Sequence, residues 1–93
     1  MKVLHMTLKK RWFDMILSGE KTEEYREIKP YWTKRLEKTY DVIRFRNGYG
    51  SKVPVFDIEF LGAVVSRGRA EWGAPDKVVY VLSLGKLLKS SNT

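Results

Sequence analysis

The apolar pattern of this chain changes its period at Gly19, and this change limits the possible folds more than any other feature. Before Gly19, apolar residues recur at the three- and four-residue spacings of a helix over residues 10–18: Trp12, Phe13, Met15, Ile16 and Leu17. After it, residues 22–28 are β-prone, so a strand follows almost at once. Glycine suits the junction because a left-handed helix cap needs no Cβ. A helix is therefore predicted between the first two strands.

Four further segments are predicted as strands. They cover residues 3–8, 40–45, 53–65 and 78–84. Pro30 suits the first turn of a short second helix over 31–36, and Gly62 suits a bend or bulge in the long fourth strand. Strands joined mostly by turns, with one inserted helix, predict an α+β fold that closes as a small mixed β-barrel of about five strands.

The size and charge of the chain limit its organisation and its partners. Ninety-three residues with 43% apolar content suit one domain over residues 1–93. The polar end predicts that residues from about 87 to 93 form a frayed tail. Eighteen Lys and Arg against eleven Asp and Glu give a net charge of +7, which favours polyanionic partners and nucleic acid above others.

Several kinds of chemistry lack the residues they need. There is no cysteine, so disulfides, thiolate nucleophiles and Cys-ligated zinc are excluded. His5 is the only histidine and is predicted as an ordinary strand residue, so no His cluster can hold a metal. We expect neither a metal nor a cofactor. The N-terminus does not resemble a signal peptide and no segment approaches transmembrane length, so we expect a cytoplasmic protein without a membrane partner.

Four residues match the G-x-K-x-x-E-x-R signature of ASCH domains: Gly19, Lys21, Glu24 and Arg26. The chain thus resembles the ASCH family of the PUA-like superfamily, and Lys9, Trp12 and the segment 80–85 resemble the family's lead-in and last strand. The resemblance implies a PUA-like barrel with a cleft floored by the motif. ASCH domains are generally proposed to bind RNA. Some small bacterial members hydrolyse acetylated cytidine, and ribonuclease activity has been ascribed to relatives.

The motif residues suit the binding of RNA or a nucleotide-like small molecule. Lys21 and Arg26 can contact phosphate, and Glu24 can accept a hydrogen bond from a base amino group. Further candidate binding residues are Lys9, Arg46, Asn47, Tyr49 and Trp72. We predict that Asn47 or Tyr49, together with Trp72, rims the cleft that Lys21 enters. A separate group is predicted to form only a general electrostatic surface: Lys34, Arg35 and Lys38.

The same motif also suits catalysis. A desolvated Lys21 beside Arg26 has a lowered pKa and can act as a base, with Glu24 as its catalytic partner. The resemblance implies that hydrolase members carry a threonine where this chain has Glu24, and that they use a later glutamate. Glu59 and Glu71 are the candidates for that second carboxylate, and the sequence does not choose between them.

Two further interpretations stay open from the sequence. Glu24 and Arg26 share a strand face by parity and can form a purely structural ion pair, which Lys21 joins only if the strand entry turns or bulges. The chain can also be a protein-interaction module whose basic surface is incidental. Its oligomeric state is left open.

Overall fold

Five strands and two helices make up the fold in the computed structural model, which describes residues 1–91. The strands are β1 (Val3–Thr7), β2 (Glu23–Arg26), β3 (Val42–Arg46), β4 (Val55–Arg67) and β5 (Val78–Ser91). The helices are α1 (Lys10–Leu17), between β1 and β2, and α2 (Pro30–Leu36), between β2 and β3; a 3₁₀ turn, Ala70–Trp72, precedes β5. The predicted α+β class and the positions of both helices are confirmed.

All five strands belong to one sheet with the spatial order β1-β3-β4-β5-β2. The pair β1 and β3 is parallel, and every other neighbouring pair is antiparallel. A parallel pair needs a long crossover, which α1, β2 and α2 provide together. The sheet curls into a half-barrel, and β1 and β2 are its two edge strands.

The main core fills the concave side of this half-barrel. Because side chains alternate between the two faces of a strand, β1, β3, β4 and β5 each contribute two core residues spaced two apart, and α1 adds Phe13 and Ile16. The strand residues of this core are Leu4, Met6, Ile43, Phe45, Phe56, Ile58, Leu82 and Leu84. The ring of Phe56 lies 4.7 Å from that of Phe13 and 5.4 Å from that of Phe45, measured between centroids. A second cluster of Tyr25, Val79 and Val81 packs under Trp72 and Ala74. The segment between β4 and β5 therefore covers the outer face of β2 and β5.

The predicted frayed tail is wrong for residues 87–91, which continue β5. Leu87 pairs with Ile58 and Lys89 pairs with Asp57 across the sheet. The first half of β4 pairs with β3 on one side only, which leaves the backbone groups on the other side of β4 without partners. The end of β5 pairs with those groups and is ordered by them. Residues 92 and 93 of the predicted tail lie outside the described residues.

The first four strands begin and end within two residues of the predicted bounds. The predicted irregularity at Gly62 is also confirmed. Its φ is +118°, and the register between β4 and β5 shifts between Phe60 and Gly62. Neither helix in residues 1–91 has the length and apolar character needed to cross a membrane.

Candidate functional site

The end of α1 turns the chain so that the motif residues meet. Gly19 has a φ of +89°, which favours glycine, and its N–H donates to the carbonyl oxygen of Ile16 at 3.1 Å. The N–H of Lys21 donates to the carbonyl oxygen of Met15 at 3.0 Å. This turn supplies the irregular strand entry that Lys21 needs in order to join Glu24 despite its opposite parity.

Lys21 is one of the most buried side chains of the protein, with 2% of the residue exposed. Its Nζ lies 3.3 Å from Oε1 of Glu24 and donates to the carbonyl oxygen of Trp72. The same atom lies 4.7 Å from the ring centroid of Trp12 and 4.9 Å from that of Tyr25. Desolvation lowers the pKa of Lys21, and the nearby Glu24 carboxylate opposes that shift.

Glu24 lies between two cations. Its Oε1 faces Lys21, and its Oε2 accepts a hydrogen bond from Nη2 of Arg26 at 2.7 Å. Nη2 of Arg26 also donates to the carbonyl oxygen of Thr7, the last residue of β1, at 3.2 Å. The Arg26 guanidinium lies 5.1 Å from the ring centroid of Trp32 in α2. The motif thus forms one continuous Lys21–Glu24–Arg26 network, which we call the motif cluster.

A second set of contacts lies on the opposite face of β2. The Tyr25 hydroxyl donates to Oε1 of Glu23 at 2.7 Å and accepts from the backbone N–H of Arg69 at 3.0 Å. Burial is the main cause that raises the pKa of Tyr25 to about 12. Glu23 and Tyr25 therefore join the site through the β4–β5 segment, a role that the sequence analysis missed. Alternation placed them on this face, but no local signal identified Arg69 as their partner.

Two other predicted site residues, Trp72 and Arg46, are connected to the motif cluster through the backbone and not through their side chains. Trp72 contacts Lys21, although through its backbone carbonyl. Arg46 on β3 pairs in the sheet with Thr7, the residue whose carbonyl oxygen accepts the hydrogen bond from Arg26. Its own guanidinium donates to the carbonyl oxygen of Gly50.

The remaining predicted site residues lie at the start of α1 or in the loop that follows β3. Lys9 is exposed at the start of α1, and Tyr49 is 88% exposed in the loop that follows β3, which also holds Asn47. Within residues 1–91 no hydrogen bond or ion pair joins these three side chains to the motif cluster. No contact with the motif cluster therefore supports their predicted role in binding, which stays a prediction.

Neither candidate for a second carboxylate contacts Lys21. Glu59 is exposed, and its Oε1 accepts from the backbone N–H of Lys86 at 3.4 Å. The Glu71 side chain is 65% exposed and faces Arg69 at 3.9 Å. Besides Glu24, the charge of Glu23 also acts to raise the pKa of Lys21, against the larger lowering by burial.

Guanidinium groups lie over aromatic rings at four places around this end of the fold. The pairs, with distances from Cζ to ring centroid, are Arg11 and Trp12 (4.6 Å), Arg26 and Trp32 (5.1 Å), Arg35 and Tyr31 (4.2 Å), and Arg69 and Trp72 (4.8 Å). Cation–π pairs of this kind offer both positive charge and flat apolar surface. The sequence analysis did not predict these pairs. Tyr31 and Arg35 are four residues apart on α2, a spacing that could have indicated their contact. The Arg26–Trp32 and Arg69–Trp72 pairs depend on backbone turns or packing.

In the described part of the chain, no three His, Asp or Glu side chains converge in a way that can hold a metal ion. No protein-family model, curated protein or solved structure matches the chain.

Proposed function

We propose that this chain is an ASCH-type, PUA-like domain that binds single-stranded RNA or a nucleotide fragment through Arg26. The signature residues and the half-barrel with a helix after its first strand support the family assignment. The observation that carries the binding proposal is the graded exposure of the motif cluster. The exposed fractions of the side chains are 1% for Lys21, 8% for Glu24 and 22% for Arg26. Arg26 is thus the motif cation that a ligand can reach.

The hydrogen bonding of Arg26 suits the recognition of an anion. Within residues 1–91, its hydrogen bonds to Glu24 and Thr7 both use Nη2. The two donors of Nη1 are left for a ligand oxygen, and arginine is well suited to phosphate because its donors form a rigid, planar fork. The Trp32 ring against the guanidinium supports that orientation. In this proposal Lys21 and Glu24 orient Arg26 and do not touch the ligand.

The test is the affinity of a fluorescent eight-nucleotide RNA for Arg26→Gln and for Arg67→Gln. Both changes remove one positive charge, but Arg67 is 63% exposed and pairs with Asp76 away from the motif cluster. We expect Arg26→Gln to weaken binding by about tenfold or more, as the loss of a charge-assisted hydrogen bond predicts. Arg67→Gln is expected to change the affinity by less than about twofold. Equal effects would mean that only the overall charge attracts RNA.

Arg26 also holds β2 to β1, so the folded state of each variant must be checked. Arg26→Lys keeps the charge but loses the fork, and a lysine amine cannot make both present hydrogen bonds and offer two further donors in one plane. We expect this variant to stay folded by circular dichroism and to bind RNA less tightly than the wild type. Wild-type affinity in a folded Arg26→Lys variant would contradict the role of the fork.

A small hydrolase acting on a modified nucleoside, or a ribonuclease, is the second candidate. The lowered pKa of Lys21 beside Glu24 favours it. The enclosure of Nζ by Trp12, Tyr25 and the Trp72 carbonyl weighs against it, since a substrate would have to displace these groups. Release of acetate from acetylcytidine, or cleavage of the labelled RNA, that disappears in Lys21→Met would support an enzyme. No binding and no turnover in any of these assays would favour the protein-interaction alternative.

A further inference from the structure

The second helix carries a basic groove outside the motif cluster. Five residues line a cavity of about 320 Å³, which we call the α2 groove: Tyr31, Lys34, Arg35, Lys38 and Tyr40. Its volume lies at the lower end of the range of about 300 to 1,000 Å³ that is typical of small-molecule sites. Three of its five residues are cations, and the other two are tyrosines. The groove therefore combines charge and aromatic surface in a space large enough for one nucleotide.

The cations of the α2 groove have no acidic partners within the described residues. The ion pairs of the described chain involve neither Lys34, Arg35 nor Lys38. The nearest acidic residue in sequence, Glu37, lines a different cavity with Thr33 and Leu36. Unpaired cations that line one cavity create a positive potential there, which attracts an anionic ligand.

A chain of ring contacts connects the α2 groove to the motif cluster. Tyr31 is 59% exposed as a residue, and the Arg35 guanidinium lies over its ring, 4.2 Å from the centroid. The same ring meets Trp32 edge to face, with 5.1 Å between centroids. The Arg26 guanidinium lies over the Trp32 ring, 5.1 Å from its centroid. A ligand that reaches Arg26 therefore has the α2 groove as its neighbouring surface.

We infer that the α2 groove holds a second nucleotide of the same RNA strand, with its phosphate near Lys34 and Lys38 and its base stacked on Tyr31. This inference rests on the proposed function because it extends the strand beyond Arg26. An exposed ring next to unpaired cations is the arrangement by which proteins bind single strands without reading their sequence. An acidic peptide would use the same cations but would gain nothing from a flat ring, so the tyrosine distinguishes the two kinds of partner.

The test compares three variants in a salt series with the fluorescent eight-nucleotide RNA. Lys34→Gln/Lys38→Gln removes two cations from the α2 groove. Lys52→Gln/Lys89→Gln removes two exposed cations elsewhere and is the matched control. Tyr31→Leu removes the ring and keeps an exposed apolar side chain. All three change exposed residues, and circular dichroism and the thermal midpoint check that they fold like the wild type.

We expect the two groove variants to fail in different ways. Loss of two phosphate contacts should make the slope of log affinity against log salt shallower by about 1.4, since each contact contributes about 0.7 with a single strand. Tyr31→Leu should weaken binding about fivefold or more without changing that slope. The control pair should keep affinity and slope close to those of the wild type. A groove variant that matches the control pair, or a Tyr31→Leu variant that binds like the wild type, would overturn the inference.

The design also separates this inference from the proposed function. If Arg26→Gln loses affinity while the groove variants do not, the groove is not part of the path of the RNA and the role of Arg26 stands. If the groove variants lose affinity while Arg26→Gln does not, the groove binds RNA and the motif cluster does not. A wild-type protein that binds neither RNA nor a mononucleotide at low salt would overturn both.

Discussion

Arg26, the last residue of β2, donates a hydrogen bond to the carbonyl oxygen of Thr7, the last residue of β1. These two strands are the opposite edges of the sheet. A single side chain therefore spans the opening of the half-barrel, and the buried carboxylate of Glu24 fixes its position.

Lys21 makes a comparable connection at the other end of the motif. Its hydrogen bond to the Trp72 carbonyl joins the end of α1 to the segment between β4 and β5. The motif cluster thus makes contacts between parts of the chain that are 19 and 51 residues apart, whatever it binds. Measurements of binding must for this reason be paired with measurements of stability.

Glu24→Gln is expected to destabilise the protein strongly. The change leaves two cations close together in a buried site without their shared carboxylate, and removal of one partner from a buried ion pair typically costs about 3 to 5 kcal/mol. Urea unfolding at neutral pH measures the loss. Asp76→Asn is the control, because the Asp76 side chain is fully exposed where it pairs with Arg67, so its loss should have no resolvable effect. Equal unfolding midpoints in the two variants would show that Glu24 is dispensable for the fold.

Lys21→Met is expected to change how stability depends on pH. Because burial lowers the pKa of Lys21, the folded protein releases this proton at a lower pH than the unfolded chain does. The contribution of Lys21 to the unfolding free energy therefore rises with pH, from its lowered folded pKa up to the ordinary value of 10.5. Unfolding of the wild type and of Lys21→Met at pH 7 and pH 10 should show that the unfolding free energy of the wild type rises relative to that of the variant. Parallel pH profiles would contradict this assignment.

Tyr25 is expected to ionise later than an exposed tyrosine. Its pKa of about 12 predicts a late step in the phenolate absorbance titration of the wild type, and Tyr25→Phe should lack that step. The unfolded chain loses this proton near pH 10, so the unfolding free energy should fall between about pH 10 and 12. If Tyr25→Phe keeps the late step and instead loses one tyrosine from the ordinary step, the burial of the Tyr25 hydroxyl is contradicted.

Tyr25→Phe should also weaken the fold at neutral pH. It removes a hydroxyl that serves both Glu23 and the N–H of Arg69, and unsatisfied groups of this kind cost about 1 to 3 kcal/mol. Tyr49→Phe is the matched control, because Tyr49 is 88% exposed. Urea unfolding compares the two.

Gly73→Ala is expected to disturb the enclosure of Lys21. A Cβ at this position would lie 2.7 Å from Cζ2 of Trp12, the ring that covers the lysine. Gly62→Ala is the control, because Gly62 also has a positive φ but a Cβ there meets nothing within 4 Å. Both variants carry backbone strain, so the additional loss in Gly73→Ala, about 1 to 3 kcal/mol by urea unfolding, reports the clash. Equal losses would mean that the Trp12 ring yields freely.

Much of the fold could be predicted from local patterns. The apolar spacing from Trp12 to Leu17 and the glycine that follows it determine a helix and its end, since both depend on residues only a few positions apart. Alternation also placed Glu24 and Arg26 on one face of β2. The length of β5 was not predictable in this way, because residues 87–91 are ordered by pairing with the distant β4.

The sequence by itself determined which charged residues form the motif and where the helix before them ends. Only the tertiary structure decided which of those charges reach solvent. Lys21 is buried because Trp12, Tyr25 and the Trp72 carbonyl, from three different segments, converge on it. Arg26 stays partly exposed at the edge of the sheet. Burial is a property of packing between distant parts of the chain, so no local pattern could have ranked these two cations.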